Sequence, residues 1–244
     1  MSRALNSKEF DSVYSEFISP RFGMSVPDYC IRYRSRFKTL IKRFCDLASP
    51  VPMDVLDIGG GQLALLCKKL WNDRACVADL LPYHFAYLES QGVETVLWNL
   101  CEPVQPLVAR FNVIFFSEVI EHLPVPGHIV LEKLRRALKP NGIVICSTPN
   151  YYRARNLVFF ALGLRIQDYF RMPEGRSLGH VMEYSRDHLQ WQFKKAGFKD
   201  CRIEHCQMHH SPINPISRIM SWIGYPLFLI PRFRDNLLAV ARAS

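Results

Sequence analysis

The 244-residue chain is long enough to form one sizeable domain with a full core, and its hydrophobic content of 49% excludes an intrinsically disordered protein. Its 31 Lys and Arg residues exceed its 22 Asp and Glu residues, which gives a formal net charge of +9. This excess predicts anionic partners, such as phosphorylated metabolites, nucleic acid or an acidic membrane face, and leaves the chemistry open.

The location of the protein follows from its N-terminal segment and its cysteines. The segment MSRALNSKEFDSVY lacks the apolar core of a signal peptide, and no apolar run reaches the length that spans a bilayer. The 8 cysteines are scattered and form no CxxC pair, which favours reduced thiols over a disulfide framework. We therefore predict a cytoplasmic protein.

An amphipathic helix is predicted between residues 28 and 47. Apolar residues recur there at helical spacing, at Phe37, Leu40, Ile41, Phe44 and Leu47. The other positions carry the basic residues Arg32, Arg34, Arg36, Lys38, Lys42 and Arg43. We interpret the basic positions as a solvated face, with an anion-binding surface as the alternative. Residues 1–49 are thus predicted to form an N-terminal basic helical cap ahead of a domain at 50–244.

Short apolar strands alternate with helical patterns from Met53 onward. The strand-like runs are VLDI, ACVAD, ETVLW, FNVIFF, IVICSTPN, CRIEH and NLLAVAR, and four helix-like runs lie between them. Such alternation is typical of a parallel sheet covered by helices, with ligands bound at the carboxyl ends of the strands. We predict an α/β fold with a doubly wound, seven-stranded, mostly parallel sheet of the Rossmann-like type.

Two segments interrupt this alternation. Residues 151–178 are basic and aromatic, and residues 214–234 are apolar but broken by Gly224, Pro226 and Pro231. Neither is suited to span a membrane, and both could cover a pocket or lie in a lipid interface. We favour a lid or core packing over peripheral contact with the inner membrane face.

The stretch VLDIGGGQLALL joins a strand to a helix through three consecutive glycines. The spacing Gly59-x-Gly61-x-x-Ala64, with Asp79 about 20 residues on, also suits a dinucleotide-binding turn. Asp57 stands two residues before the first glycine, where its carboxylate can order the loop and face a cationic amino group. A pyrophosphate would be repelled there, so we favour a cofactor that carries an amino group.

The ordered motifs identify a family resemblance. VLDIGGG, VADLLP, VLWNL, FFSEVIEHLP, LRRALKPNGIVICSTPN and GHVMEYSRDHLQWQFKKAGF resemble the class I S-adenosylmethionine-dependent methyltransferases from about residue 50 to 205. The resemblance implies that S-adenosyl-L-methionine is the cofactor, and it gives roles to Asp57, Gly59, Gly61, Asp79, Asn99, Leu100 and Glu118.

Those implied roles divide along the cofactor. Asp57, Gly59 and Gly61 would shape the loop under the methionyl part, and Asp79 would bind the ribose hydroxyls. Asn99 and Leu100 stand where the family usually has Asp-Leu beside the adenine, and Glu118 would lie near the methyl group. Two positions depart from the pattern: Leu63 replaces the usual third glycine, and Asn99 replaces an acid. An Asn carbonyl oxygen can still accept a hydrogen bond from an exocyclic amine.

Glu118, Glu121 and His122 form an ExxEH set. A helix that begins at Glu118 would place all three on one face, and His180 in GHVMEYS could join them around Mg²⁺ or Mn²⁺. The pattern is similar to the metal-binding set of ubiquinone-biosynthesis O-methyltransferases and of small-RNA 3′-end 2′-O-methyltransferases. The alternative is a metal-free junction in which His180 orients the substrate or acts as a general base.

These observations predict an O-methyltransferase for a small-molecule or glycan hydroxyl, with His180, His122 and Glu118 as catalytic residues. The acceptor could be phosphorylated or lipid-linked. A lipid quinone and an RNA 3′ end are the alternative acceptors, with nucleic acid the less favoured partner. An NAD(P)-dependent oxidoreductase and a non-catalytic cofactor-binding module are the alternatives from other classes.

Overall fold

The computed structural model describes residues 3–18, 29–49, 51–103, 105–167, 179–208, 226–227 and 229–243. The chain opens with helix α1, Ser7–Val13, which begins where the Asn6 side chain accepts hydrogen bonds from the N–H groups of Lys8 and Glu9. A π-helical turn, Tyr14–Ile18, follows it. The predicted amphipathic helix is present as α2, Tyr29–Leu47.

The predicted seven-stranded sheet is confirmed. Its strands are β1 (Asp54–Ile58), β2 (Arg74–Asp79), β3 (Glu94–Leu97), β4 (Phe111–Ser117), β5 (Leu138–Pro149), β6 (Asp200–Cys206) and β7 (Asn236–Arg242). They lie in the order β3-β2-β1-β4-β5-β7-β6. β7 pairs antiparallel with both β5 and β6, and the remaining pairs are parallel. The carboxyl ends of β1, β2, β4 and β5 therefore meet at one edge of the sheet.

Helices cover both faces of the sheet, as a doubly wound fold requires. They include α3 (Gln62–Trp71), α4 (Phe85–Ser90), α5 (Gly127–Ala137) and α7 (Arg186–Lys195), and a further helix, α6 (Ala154–Ala161), follows β5. One core cluster joins α5 and α7 to one face of the sheet, and a second joins α1, α2 and α3 to the other. The N-terminal helices thus share a hydrophobic core with the sheet.

A buried ion pair fastens the N-terminal segment to the start of β2. Both carboxylate oxygens of Asp73 accept hydrogen bonds from the Arg3 guanidinium, at 2.5 and 2.7 Å. Arg3 also donates to the carbonyls of Ser49 and Val51, and Asp73 also accepts from the backbone N–H of Met53. Both side chains are almost fully buried, so each depends on the other for its charge to be balanced.

The two interrupting segments are described only in part. Residues 151–167 contain α6, whereas residues 168–178 of the first segment lie outside the described residues. Of the second segment, residues 214–225 and 228 lie outside them, and a short 3₁₀ turn spans Pro231–Phe233. None of the helices in the described ranges combines the length and the apolar character needed to cross a bilayer.

Candidate functional site

The glycine turn between β1 and α3 has a backbone that only glycine adopts easily. Gly59, Gly60 and Gly61 have φ angles of +81°, +79° and +92°. A Cβ atom at Gly61 would lie 2.8 Å from Leu88 and 2.9 Å from Val77, closer than real Cβ atoms approach a neighbour. The turn is therefore specified by both conformation and space, and it leaves bare backbone at the carboxyl edge of the sheet.

Asp57 lies under this turn and is buried, with 2% of its surface exposed. Its Oδ2 atom accepts hydrogen bonds from the backbone N–H groups of Leu63 (2.9 Å) and Ala64 (3.2 Å), in the first turn of α3. Burial raises the pKa of the Asp57 carboxyl to about 7, against the two hydrogen bonds, which lower it. The Asp57 side chain thus binds the first turn of α3 and orders the loop.

The raised pKa of Asp57 makes stability depend on pH. Because the unfolded carboxyl titrates near 3.8 and the folded one near 7, folding favours the protonated form. We expect the free energy of unfolding of the wild type, relative to Asp57→Asn, to fall between pH 4 and 7 by up to about 4 kcal/mol and then to level off. Urea unfolding of both proteins across pH 4.5–8.5 measures this difference, and parallel profiles would contradict it.

Asp79, at the end of β2, holds the other side of the turn. Its Oδ2 atom accepts a hydrogen bond from the Gly60 N–H at 2.9 Å, and its Oδ1 atom accepts one from the Leu81 N–H at 3.1 Å. The helix that follows begins at Phe85, so Asp79 does not cap it. Its carboxylate lies beside the glycine turn, where the resemblance to methyltransferases places it.

Asn99 and Leu100 follow β3 along the chain. The Asn99 carbonyl Oδ1 accepts from the Cys101 N–H at 3.0 Å, and its amide Nδ2 donates to Glu102 at 3.0 Å. Asn99 therefore closes its own loop, although a carbonyl oxygen has a second lone pair. Leu100 is buried, and its backbone carbonyl accepts from the Lys133 ammonium at 2.7 Å.

Glu118 follows directly after β4 in a left-handed conformation, with a φ angle of +55°. Its Oε1 atom accepts from the Ser147 hydroxyl (2.9 Å) and the Asn236 amide (3.2 Å), and its Oε2 atom lies 3.2 Å from Arg36. Left-handed backbone cannot begin an α-helix, so the helix predicted from Glu118 is wrong. A 3₁₀ turn at Ile120–His122 takes its place.

The sequence predicts a solvated position for Arg36, but the structure buries it next to Glu118. It is 6% exposed, contacts the Tyr33 ring at 4.2 Å and faces Glu118 from α2. A signal was available: Arg36 lies four residues before the buried Leu40, so the two share one side of the helix. Helix α2 therefore brings the Arg36 guanidinium to the carboxyl edge of the sheet.

Glu121, His122 and His180 come together next to this ion pair. Each offers one ligand atom, and these atoms all lie within 4.8 Å of one another. The imidazole rings are edge to face, with centroids 4.8 Å apart, and His122 Nε2 lies 3.8 Å from Glu121 Oε1. Glu118, the fourth predicted ligand, lies outside this group and is held by Arg36, Ser147 and Asn236.

Glu121 is the most unusual member of the group. It is 1% exposed; its Oε2 atom accepts from the Thr148 hydroxyl at 3.0 Å, whereas its buried Oε1 atom has no hydrogen-bond partner. Burial raises the pKa of this carboxyl well above its usual value, and the negative charge of Glu118 adds to the effect. A cation at Oε1 would satisfy the atom and reverse that shift.

Backbone hydrogen bonds hold His180 in this place. The N–H groups of Val181 and Met182 both donate to the Glu121 carbonyl, at 2.7 and 3.1 Å. His122 Nδ1 donates in turn to the Gly179 carbonyl at 3.1 Å, which leaves Nε2 as the atom that carries the ring's lone pair. The convergence of these residues, which lie far apart in the sequence, thus rests on hydrogen bonds to the segment that contains Gly179, Val181 and Met182.

The sheet order and the glycine turn define the class I S-adenosylmethionine-dependent methyltransferase fold, and solved structures agree. The chain covers 99% of a methyltransferase from a Haloferax volcanii complex with the activator Trm112, at a TM-score of 0.62 and 16% identity over 98% of this chain. It covers 100% of an Archaeoglobus fulgidus SAM-dependent methyltransferase, at a TM-score of 0.58 and 16% identity over 88% of this chain.

The sequence comparisons identify the family. A model described as a methyltransferase domain matches residues 31–202, and the chain belongs to this family. A ubiquinone biosynthesis O-methyltransferase from Cereibacter sphaeroides is 33% identical over 129 residues, which are 49% of this chain and 50% of the relative. The chain thus spans about half the length of the curated relatives it matches. These findings confirm the predicted class.

Proposed function

We propose that this methyltransferase transfers a methyl group from S-adenosylmethionine to a hydroxyl oxygen of a small molecule or glycan. The observation that carries the proposal is the group of Glu121, His122 and His180, which lies at the carboxyl edge of the sheet. Transfer to a hydroxyl needs an in-line approach and the removal or weakening of a proton, by a base or by a metal ion. The group offers imidazoles that can act as a base for the first route and metal ligands for the second.

In this proposal the cofactor lies across the glycine turn. Asp79 accepts from the ribose hydroxyls, Asn99 and Leu100 flank the adenine, and the turn at Gly59 and Gly61 approaches the methionyl part. The buried Arg36, whose Nε atom has no hydrogen-bond partner, supplies a positive charge for the cofactor carboxylate. A 1,6-didemethyltoxoflavin-N1-methyltransferase from Burkholderia thailandensis, solved with bound S-adenosylhomocysteine, shares the fold at a TM-score of 0.56 and 17% identity, which supports the choice of cofactor.

The donor set fits Mn²⁺ or Mg²⁺. Glu121 offers a buried oxygen without a partner, and His122 and His180 offer imidazole nitrogens, a mixture that Mn²⁺ accepts more readily than Mg²⁺ does. When bound, such an ion would act as a Lewis acid on an acceptor oxygen and lower the pKa of its hydroxyl. The three side chains would hold the ion, and the remaining positions would be open to acceptor oxygens, ideally a vicinal pair.

The metal-free alternative assigns the proton to His180. An imidazole whose Nδ1–H donates to a carboxylate presents Nε2 as a base, as His180 does through its contact with Glu183 at 3.4 Å. Glu118 then acts on its surroundings through charge, since its carboxylate is already bound by three neighbours. Activity that survives a metal chelator would favour this route.

The first experiment measures cofactor binding and acceptor turnover separately. Titration calorimetry with S-adenosylhomocysteine and with NADH should show binding of the first and none of the second. Formation of S-adenosylhomocysteine is then followed with catechols, sugars, lipid-linked phosphates, quinone precursors and RNA 3′ ends, each with Mn²⁺, with Mg²⁺ and with EDTA. Turnover only on an RNA or on a nitrogen acceptor would overturn the proposal, whereas turnover on a quinone precursor would narrow it to the class named by the Cereibacter relatives.

Contact with a membrane surface is a second prediction for this protein. Phe160 and Leu162, at the end of α6, are 75% and 64% exposed, and an exposed apolar patch on a basic protein suits an anionic lipid interface. We expect Leu162→Ser to weaken sedimentation with anionic vesicles at least about tenfold, from the ~1.5 kcal/mol that burial of one leucine contributes at the lower end of its range. Leu97→Ser, which changes an equally exposed leucine on β3, is the matched control. Equal losses in both variants would contradict the prediction.

A further inference from the structure

A network of four side chains, of which Glu183 and Asn156 are buried, connects His180 to the start of α6. Glu183, whose side chain is 3% exposed, accepts from His180 Nδ1 at 3.4 Å and from the Asn156 amide at 2.9 Å, and it pairs with the Arg153 guanidinium. Asn156 in turn accepts from Arg153 Nε at 3.2 Å. The network therefore joins His180 to the segment at 151–167.

Glu183 acts as an acceptor throughout this network. The Arg153 guanidinium and the Asn156 amide nitrogen can only donate, and each of them contacts one of the two Glu183 oxygens. A carboxylate held in this way also accepts from His180, so it selects the His180 tautomer that carries hydrogen on Nδ1. The lone pair of His180 is then on Nε2, the ring atom opposite Glu183.

The backbone near His180 is held by other groups. Val181 and Met182 are tied to the Glu121 carbonyl, and Tyr184 forms a bridge with Asn150. The loop can therefore keep its path without Glu183, whereas the orientation and tautomer of the His180 ring depend on it. These two effects are separable by experiment.

We propose that Glu183 is a positioning residue that acts through His180, and that Arg153 and Asn156 make this action depend on how α6 is seated. The proposal rests on the proposed function, in which His180 Nε2 binds the cation or takes the proton. Outer carboxylates that orient a metal-binding histidine typically contribute about 10–100-fold in metal affinity. Movement of the segment that contains α6 would therefore change how well His180 binds the cation or takes the proton, without any contact between that segment and the acceptor.

The test compares Glu183→Gln with Glu204→Gln. Glu204 lies on β6, away from the site, and its carboxylate is likewise paired with an arginine, Arg43 of α2. Three quantities are measured on each full-length protein: the His180 tautomer from ring ¹⁵N shifts, the dissociation constant of Mn²⁺ by electron paramagnetic resonance, and that of S-adenosylhomocysteine by calorimetry. A glutamine amide would face the donors of Arg153 and Asn156, so it cannot hold the same arrangement.

We expect Glu183→Gln to lower the fraction of the Nδ1–H tautomer and to weaken Mn²⁺ binding about 10–100-fold, with cofactor affinity within about twofold of the wild type. Glu204→Gln should change none of these. Unchanged tautomer and Mn²⁺ affinity, with only a lower melting temperature, would overturn the proposal. If Glu183→Gln does not fold, Asn156→Ala is expected to change both quantities in the same direction. If the wild type binds no Mn²⁺, the metal route is refuted. The change in the His180 tautomer would then still decide whether Glu183 positions the His180 ring.

Discussion

The His180→Ala variant is expected to lose about 10²–10⁴-fold in turnover while it binds S-adenosylhomocysteine with nearly wild-type affinity. The reason is the separation of the site into two parts. The glycine turn, where the proposed function places the cofactor, is held by Asp57 and Asp79, whereas His180 lies with Glu121 and His122. Loss of the imidazole therefore removes a proton acceptor or a metal ligand and leaves the turn unchanged.

The measurement is the rate of S-adenosylhomocysteine formation at saturating cofactor, with the acceptor that the tests under Proposed function identify. His205→Ala, which removes a half-exposed histidine from β6, should retain full turnover. A parallel loss of turnover and cofactor affinity in His180→Ala would show that the residue supports the fold and would contradict its catalytic role. A rise in acceptor KM with unchanged kcat would instead assign it to acceptor binding alone.

The Arg3→Met variant is expected to lose about 3–5 kcal/mol of stability, because it leaves the buried Asp73 carboxylate with the Met53 N–H as its one remaining hydrogen-bond donor among the described residues. The guanidinium also packs over the rings of Phe44 and Trp71, at 5.1 and 5.2 Å, and methionine replaces only part of that contact. For a chain of this size the melting temperature should fall by roughly 10 °C.

Urea and thermal unfolding measure this loss. Arg43→Met is the control, because its partner Glu204 is 40% exposed and such a pair contributes at most about 1 kcal/mol. The double variant Arg3→Met/Asp73→Asn should recover part of the loss, since it no longer buries an unbalanced charge. Equal effects of Arg3→Met and Arg43→Met would contradict the assignment of Arg3 as an anchor of the N-terminal segment.

The fold could be predicted from the sequence because its signals are local. Alternating apolar strands and amphipathic helices specify a doubly wound sheet, and the glycines at 59–61 mark the strand-to-helix turn by their conformation. The parts of the site nearest in sequence, Asp57 and the turn, could be predicted for the same reason. Asp57 and α3 are separated by only a few residues.

The rest of the site depends on contacts between distant segments. Arg36 reaches Glu118 from a helix that precedes the sheet, and Glu183 reaches Arg153 across 30 residues. A basic residue on an amphipathic helix looks solvated until its neighbours are known. The helix predicted at Glu118 was wrong because two buried partners and Arg36 fix that side chain while the backbone turns left-handed, and hydrophobic periodicity cannot detect such a conformation.

The position of β7 has a consequence for how the protein forms on the ribosome. β7 is the last of the seven strands in the chain, yet it lies between β5 and β6. β6 therefore cannot join the sheet until about thirty further residues have left the exit tunnel, a delay of several seconds at ~5–20 residues per second. Asn236, which binds Glu118, arrives with that strand. A nascent chain can thus form the glycine turn well before Asn236 is available to bind Glu118.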